Sequence, residues 1–144
     1  MIRNRIICIL LLTISSWAVI GSCQSETDLN YARYYTNGKQ LYDTYCQNCH
    51  GADGNGLQQL IPPLSDTLFL RKNRDRLACI IKNGMDEKIM VNGKEYNALM
   101  PPNPQLPDID IAAIITYITN SYGNKQGLYE QTAATQTLKK CEMP

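Results

Sequence analysis

The chain has 144 residues, with 14 Lys and Arg against 13 Asp and Glu and a formal charge of +1. That length bounds it to one ordinary domain with appendages, and so balanced a charge leaves no electrostatic footprint for nucleic acid. Its aromatic content is nine Tyr with one Trp and one Phe, and it holds a single His beside six Cys and five Met.

Residues 1–22 read as a secretory signal: basic Arg3 and Arg5, an apolar stretch from Ile6 to Ile20, then small Gly21 and Ser22. Ile20-Gly21-Ser22-Cys23 resembles a bacterial lipobox, in which Cys23 takes lipid and becomes the first residue of the mature protein. The alternative is an uncleaved membrane anchor. The apolar run, interrupted by Ser15 and Ser16, falls short of the roughly 20 residues that span a bilayer. Both readings put the globular part in the bacterial cell envelope, facing the periplasm or the cell exterior. Loss of Arg3 and Arg5 from the 14 basic residues leaves 12 against 13 acidic ones, near −1. Bulk charge therefore does not hold the chain to a membrane, and the lipid has to.

Residues 23–30 are polar and aperiodic and read as a tether. From Asn37 to Cys49 the positions Leu41, Tyr42 and Tyr45 recur at helical spacing, predicting a first helix that runs into Cys46-Gln47-Asn48-Cys49-His50. Three Gly between Gly51 and Gly56 demand a loop, and Pro62-Pro63 is a second interruption. Asn73 or Asp75 is the expected cap of a short helix carrying Leu77, Ile80 and Ile81, ended by Asn83-Gly84. Ile89 to Tyr96, with Asn92-Gly93 at its centre, predicts a small β-hairpin. Pro101 to Pro107 holds four of the seven Pro and forms an extended strap. Asp108 or Asp110 then caps an apolar helix through Ile111, Ile114, Ile115 and Ile118, stopped by Gly123. Residues 124–144 read as a polar tail.

The chemistry sits in Cys46-x-x-Cys49-His50, the attachment signature of a c-type haem. Two thiols one helical turn apart reach the two vinyl groups of one macrocycle, and the adjacent imidazole serves as proximal iron ligand. A redox-active Cys pair would sit in a βαβ context, which is absent here. A zinc site would need a second matched ligand pair, and Cys79 and Cys141 stand apart in sequence. For the other face of the iron, bis-His ligation fails because His50 is the only His. A Met thioether, a Lys amine or an open site remains. Met100 heads the rigid strap at Pro101-Pro102 and is the favoured ligand; Met85, Met90 and Met143 read as core filler.

These residues resemble the class I cytochrome c family. Gly38-Lys39-Gln40-Leu41-Tyr42 is similar to the family's first helix, Tyr117 to the aromatic of its last helix, and Leu99-Met100-Pro101 to its Met-Pro ligand motif. The resemblance covers roughly residues 31–123. It implies an all-α fold of three to five helices wrapped around one haem c, with the small hairpin placed before the distal Met. It also implies that Gly38 lets the last helix cross at close range against Tyr42, and that the Pro62 carbonyl accepts the His50 imidazole N–H, orienting the ligand. Residues around Gln47, Asn48, Leu57 and Met100 would line the exposed haem edge.

A haem bound on both faces leaves no room for a small-molecule substrate, so the expected activity is single-electron transfer between redox proteins. A haem enzyme would need a labile site and a distal base, and a sensor would need an attached signalling element. The donor subunit of a larger oxidoreductase is the nearer alternative. The basic run Arg71-Lys72-Asn73-Arg74-Asp75-Arg76 is either a steering patch for an acidic partner or a solvated surface. Cys79 and Cys141, left over in an exported chain, are expected to form a disulfide.

Overall fold

The computed structural model describes residues 26–141. The signal segment, Cys23 and Met143 lie outside the described residues. Within them are six helices and one two-stranded sheet: α1 Glu26–Tyr45, α2 Gln47–His50, α3 Thr67–Lys72, α4 Leu77–Asn83, β1 Ile89–Val91, β2 Lys94–Tyr96, α5 Asp108–Ile118 and α6 Gln131–Cys141. None of these helices is long and apolar enough to cross a membrane.

The centre of the molecule is α5. All eight residues from Ile111 to Ile118 are buried, so this stretch has no solvent face and is clad by α1, α4 and α6. Its closest neighbour is α1, which crosses it at Gly38. A Cβ built at Gly38 would stand 2.0 Å from the Ala113 carbonyl oxygen and 2.9 Å from Tyr117 Cβ. Only a residue without a side chain admits that approach. Around the crossing, Tyr42, Tyr117, Tyr122 and Tyr35 pack with ring centroids 5.2–5.9 Å apart, the spacing at which tilted aromatic pairs attract.

Several boundaries differ from those the sequence suggests. Helix α1 starts at Glu26, inside the stretch assigned to the tether. Acidic Glu26 and Asp28 sit in its first turn, where the helix dipole favours negative charge, and Tyr31 stacks on Tyr35 one turn on at 5.8 Å. Helix α4 begins after Arg76, not at a cap from Asn73 or Asp75; Asn73 instead ends the unforeseen α3. That helix is started by Asp66, whose Oδ1 accepts from Leu68 N at 2.9 Å and Phe69 N at 3.0 Å. Pro107 takes the position before α5, with Asp108 and Asp110 inside the first turn, and the helix ends at Ile118, capped by Thr119, rather than at Gly123.

The hairpin has the register Ile89↔Tyr96, Met90↔Glu95 and Val91↔Lys94. Asn92 (φ 50°) and Gly93 (φ 74°) supply the two positive φ angles of a tight turn. A lone hairpin is marginal, and this one is pinned at its turn and at the end of β2. Asp66 Oδ2 accepts from Asn92 N at 2.7 Å, while Tyr96 Oη donates to the Gln58 carbonyl at 3.3 Å. Val91 and Tyr96 are buried.

The segment read as a polar tail is a structural element. Tyr129, Ala134 and Leu138 join the core, and α6 packs on α4 and α5. Thr116 on α5 accepts the Tyr129 N–H at 3.0 Å, and the Thr135 hydroxyl donates to Asp108 Oδ2 at 2.5 Å. Cys141 is joined to Cys79 of α4, with Cα atoms 6.1 Å apart. The composition of residues 131–141 hides this because its buried residues are only Ala134 and Leu138.

Candidate functional site

A cleft of about 650 Å³, its open mouth included, lies between the end of α1, the Pro62–Leu64 segment, α4, the hairpin and the strap. Its walls carry Cys46, His50, Pro62, Phe69, Leu77, Ile80, Ile81, Met85, Val91, Met100, Ile114 and Ile118, among others, and no charged side chain. An adjoining cleft of about 480 Å³ shares His50, Pro62, Met85 and Met100 and adds Cys49, Leu60, Leu99 and Pro101. Cys46, Cys49, His50, Pro62 and Met100 thus converge on one pair of connected spaces. Among the described residues no group of three or more His, Cys, Asp or Glu gathers as a metal site.

Each of these residues is held by a local cause. The chain leaves α1 at Tyr45, turns at Cys46 and makes one further turn, α2, which ends on His50. Tyr42 Oη donates to the Gly51 carbonyl at 2.6 Å and ties that turn to α1. His50 Nδ1 lies 3.2 Å from the Pro62 carbonyl oxygen. An N–H on Nδ1 makes that bond and leaves Nε2 as the nitrogen free for a metal. Burial lowers the imidazole pKa below its ordinary value against the opposing pull of the Pro62 carbonyl, a direction that favours the neutral form a ligand needs. Burial pushes the Cys46 thiol up to about 12, with Cys49 adding to the effect. Cys46 and Cys49 are not joined to each other, and Cys49 is exposed at the mouth of the second cleft.

The Pro62 segment is itself anchored. Leu64 N donates to the Gly54 carbonyl at 2.8 Å, and buried Asn124 Nδ2 donates to the Leu64 carbonyl at 2.9 Å. The strap, too, is fastened, to α4. Asn103 N donates to the Lys82 carbonyl at 3.1 Å and Asn103 Nδ2 to the Ile81 carbonyl at 3.2 Å, satisfying carbonyls that the helix end leaves without partners. Lys82 Nζ donates to the carbonyls of Pro104 (2.8 Å) and Leu106 (2.7 Å). Met85 and Met100 exchange both backbone hydrogen bonds, at 3.0 and 2.9 Å.

Three assignments change in the structure. Met90, read from the sequence as core filler, is exposed on the hairpin, whereas Met85 packs against the core as that reading expects and also lines the cleft beside Met100. The basic run is divided rather than a single patch. Arg74 turns inward, donating to Gln126 Oε1 at 3.2 Å and the Leu128 carbonyl at 3.1 Å, with its guanidinium 5.2 Å from the Tyr129 ring centroid. Arg76 pairs with Glu87, and Arg71 and Lys72 end α3, where the helix dipole welcomes cations. At the cleft rim, Gln47 and Asn48 line neither space; the exposed apolar side chains there are Leu60 and Leu99, with Leu57 nearby on the same loop as Leu60. Asn103, Lys82 and Asn124 carry no motif, and Gly84 gave the one available signal. Its φ is +76°, and a Cβ there would meet the Met100 carbonyl oxygen at 2.4 Å.

The fit to a haem rests on these observations: an apolar slot, an imidazole with one nitrogen engaged, two unpaired cysteines, and two thioethers lining the same space. The comparisons agree. The family model for Cytochrome c matches residues 35–121. Cytochrome c-552 of Thermus thermophilus is 30% identical over 92 residues, covering 61% of this chain and 70% of that protein. A second cytochrome c-552 of the same species is 30% identical over 92 residues, covering 61% of this chain and 62% of that protein. The fructose dehydrogenase cytochrome subunit of Gluconobacter japonicus is 29% identical over 108 residues, 70% of this chain but 22% of that protein. With the haem-attachment pair, the partly buried imidazole and a family match over most of the described residues, this chain belongs to the cytochrome c family and carries a covalent haem c.

Proposed function

We propose that this protein is a lipid-anchored, mono-haem electron carrier of the cell envelope, with the haem attached at Cys46 and Cys49 and the iron held between His50 and Met100. The observation that carries the reading is that a Pro62-engaged His50 and Met100 line one uncharged cleft. A haem bound there supplies a one-electron couple, and a thioether ligand with apolar surroundings favours its ferrous form. The chain's own part is to exclude water, fix the imidazole and hold the strap. Glu87, which lines the second cleft, is paired with Arg76, so no free carboxylate is poised there as a catalytic base. Anchoring through lipid on Cys23 keeps the carrier at the membrane, where redox proteins supply and accept its electrons.

The test is carbon monoxide. The ferrous protein should not bind it near neutral pH, and a redox titration should follow a single one-electron curve. Ready carbon monoxide binding would mean an open site and would favour a haem enzyme or sensor. Similarity to a dehydrogenase's cytochrome subunit supports a second reading, a donor subunit of a larger oxidoreductase. Cross-linking in native membranes with mass identification separates the two: a fixed stoichiometric partner marks the subunit, several transient ones the carrier. Intact mass of membrane-extracted protein tests the anchor through cleavage before Cys23 and added acyl chains.

A further inference from the structure

The pairing of Met85 with Met100 has a consequence for the iron. In an antiparallel pair that exchanges both N–H···O bonds, the two side chains leave the same face, with Cβ atoms about 5 Å apart. Met85 N donates to the Met100 carbonyl at 3.0 Å and Met100 N to the Met85 carbonyl at 2.9 Å. Both side chains line both clefts, and His50 lines them too. Gly84 locks the register, because only a glycine lets the backbone pass the Met100 carbonyl so closely. Two flexible thioethers are therefore hung from adjacent points of one rigid ladder, facing the space that the imidazole also faces. A methionine's three rotatable bonds let its sulfur travel several ångströms without backbone movement.

We propose that Met85 is a reserve iron ligand, which takes the sixth position when the Met100 sulfur is lost to oxidation or substitution. The proposal rests on Met100 as the resident ligand. Among the described residues, the other candidates near the cleft are committed or remote. Lys82 engages its ammonium with the Pro104 and Leu106 carbonyls, Lys88 pairs with Glu95, and Met90 is exposed on the hairpin. Oxidation of Met100 to the sulfoxide by a peroxide adds one oxygen atom to sulfur and releases water, leaving a poorer and more polar donor. The unoxidised Met85 sulfur would then be the better ligand, and the haem would stay closed to small molecules.

The experiment uses the haem-loaded protein with Met100→Leu, Met85→Leu and the double variant; leucine keeps volume and offers no sulfur. Two readouts are taken: the thioether-to-iron charge-transfer absorption of the ferric protein, and carbon monoxide affinity of the ferrous protein. The proposal expects Met85→Leu and Met100→Leu each to retain the thioether absorption. The double variant should lose it and bind carbon monoxide at least about tenfold more tightly than Met100→Leu, a competing bond of ~1.4 kcal/mol. If Met100→Leu loses the absorption and binds carbon monoxide as the double variant does, Met85 is no reserve and the proposal fails alone. If Met85→Leu abolishes the absorption and Met100→Leu leaves it untouched, the assignment of Met100 as resident ligand fails as well. Should a leucine variant not accumulate, peroxide-treated unmutated protein, with sulfoxide mapped by peptide mass to Met100, gives the same reading: absorption kept supports the proposal, absorption lost overturns it.

Discussion

Replacing Gly38 by alanine tests the geometry on which the whole fold turns. The added methyl would lie 2.0 Å from the Ala113 carbonyl oxygen, 2.6 Å from its carbon and 2.9 Å from Tyr117 Cβ. None of these is the movable tip of a side chain. Non-bonded carbons rest about 3.5–4.0 Å apart, so α1 and α5 must part by more than about 1 Å, and a gap of that size forfeits roughly a quarter to a half of each dispersion contact it opens. Overpacking of this kind costs about 3 kcal/mol, offset by about 1 kcal/mol because alanine is the better helix residue. The net expectation is a loss of about 2 kcal/mol, or roughly 8 °C in Tm for a chain of this size. Denaturant unfolding followed by haem absorbance measures it. Gly123→Ala is the control: its φ is +90°, but nothing stands within 4 Å of the added carbon, so it carries backbone strain of about 1–2 kcal/mol and no clash. A Gly38→Ala protein as stable as the parent would refute the close crossing.

Asp66→Ala should cost about 1–2 kcal/mol by removing the cap of α3 and the tie to Asn92. Partial burial pushes the Asp66 carboxyl up, but the N–H groups of Phe69, Asn92 and Leu68 together outweigh it and leave the pKa below its ordinary 3.8. Its stabilisation is therefore full above that value and lost as pH falls through the lower folded value, so urea titrations below about pH 4 should show a steeper acid loss in the parent than in the variant. Arg74→Met should leave the haem spectrum unchanged while speeding amide exchange at Leu128 and Tyr129, since the guanidinium holds that loop; unchanged exchange would count against this anchoring. Reducing Cys79–Cys141, which closes a separation of 62 residues, should lower stability by up to about 4 kcal/mol in the chain-entropy model, less where the haem already restrains the unfolded chain. Non-reducing peptide mapping that returns both as free thiols would remove the bridge.

Much of the site is legible without coordinates because its chemistry is local in sequence. Cys46, Cys49 and His50 fall within five consecutive positions whose spacing has a chemical meaning at one helical turn, and Met100 announces itself by the prolines behind it. Asn92-Gly93 specifies its own turn, and the apolar run of α5 declares a core helix, because each depends on backbone preferences of adjacent residues. The supports around the site are different in kind. Asn124 holding the Leu64 carbonyl, Asn103 and Lys82 fastening the strap, and Arg74 folded onto Tyr129 are contacts between residues 22 to 60 positions apart. A polar side chain has many partners available to it, and only the packed chain selects one. The last helix escapes the sequence for a related reason. Its buried face is Ala134 and Leu138, too little apolar surface to drive a helix alone, and α6 forms because α4, α5 and the Cys79 anchor wait to receive it. Met85 is the sharpest case: Gly84 beside it permits a close approach without naming the partner, and its place beside Met100 comes from two backbone hydrogen bonds that the fold assembles from segments 15 residues apart.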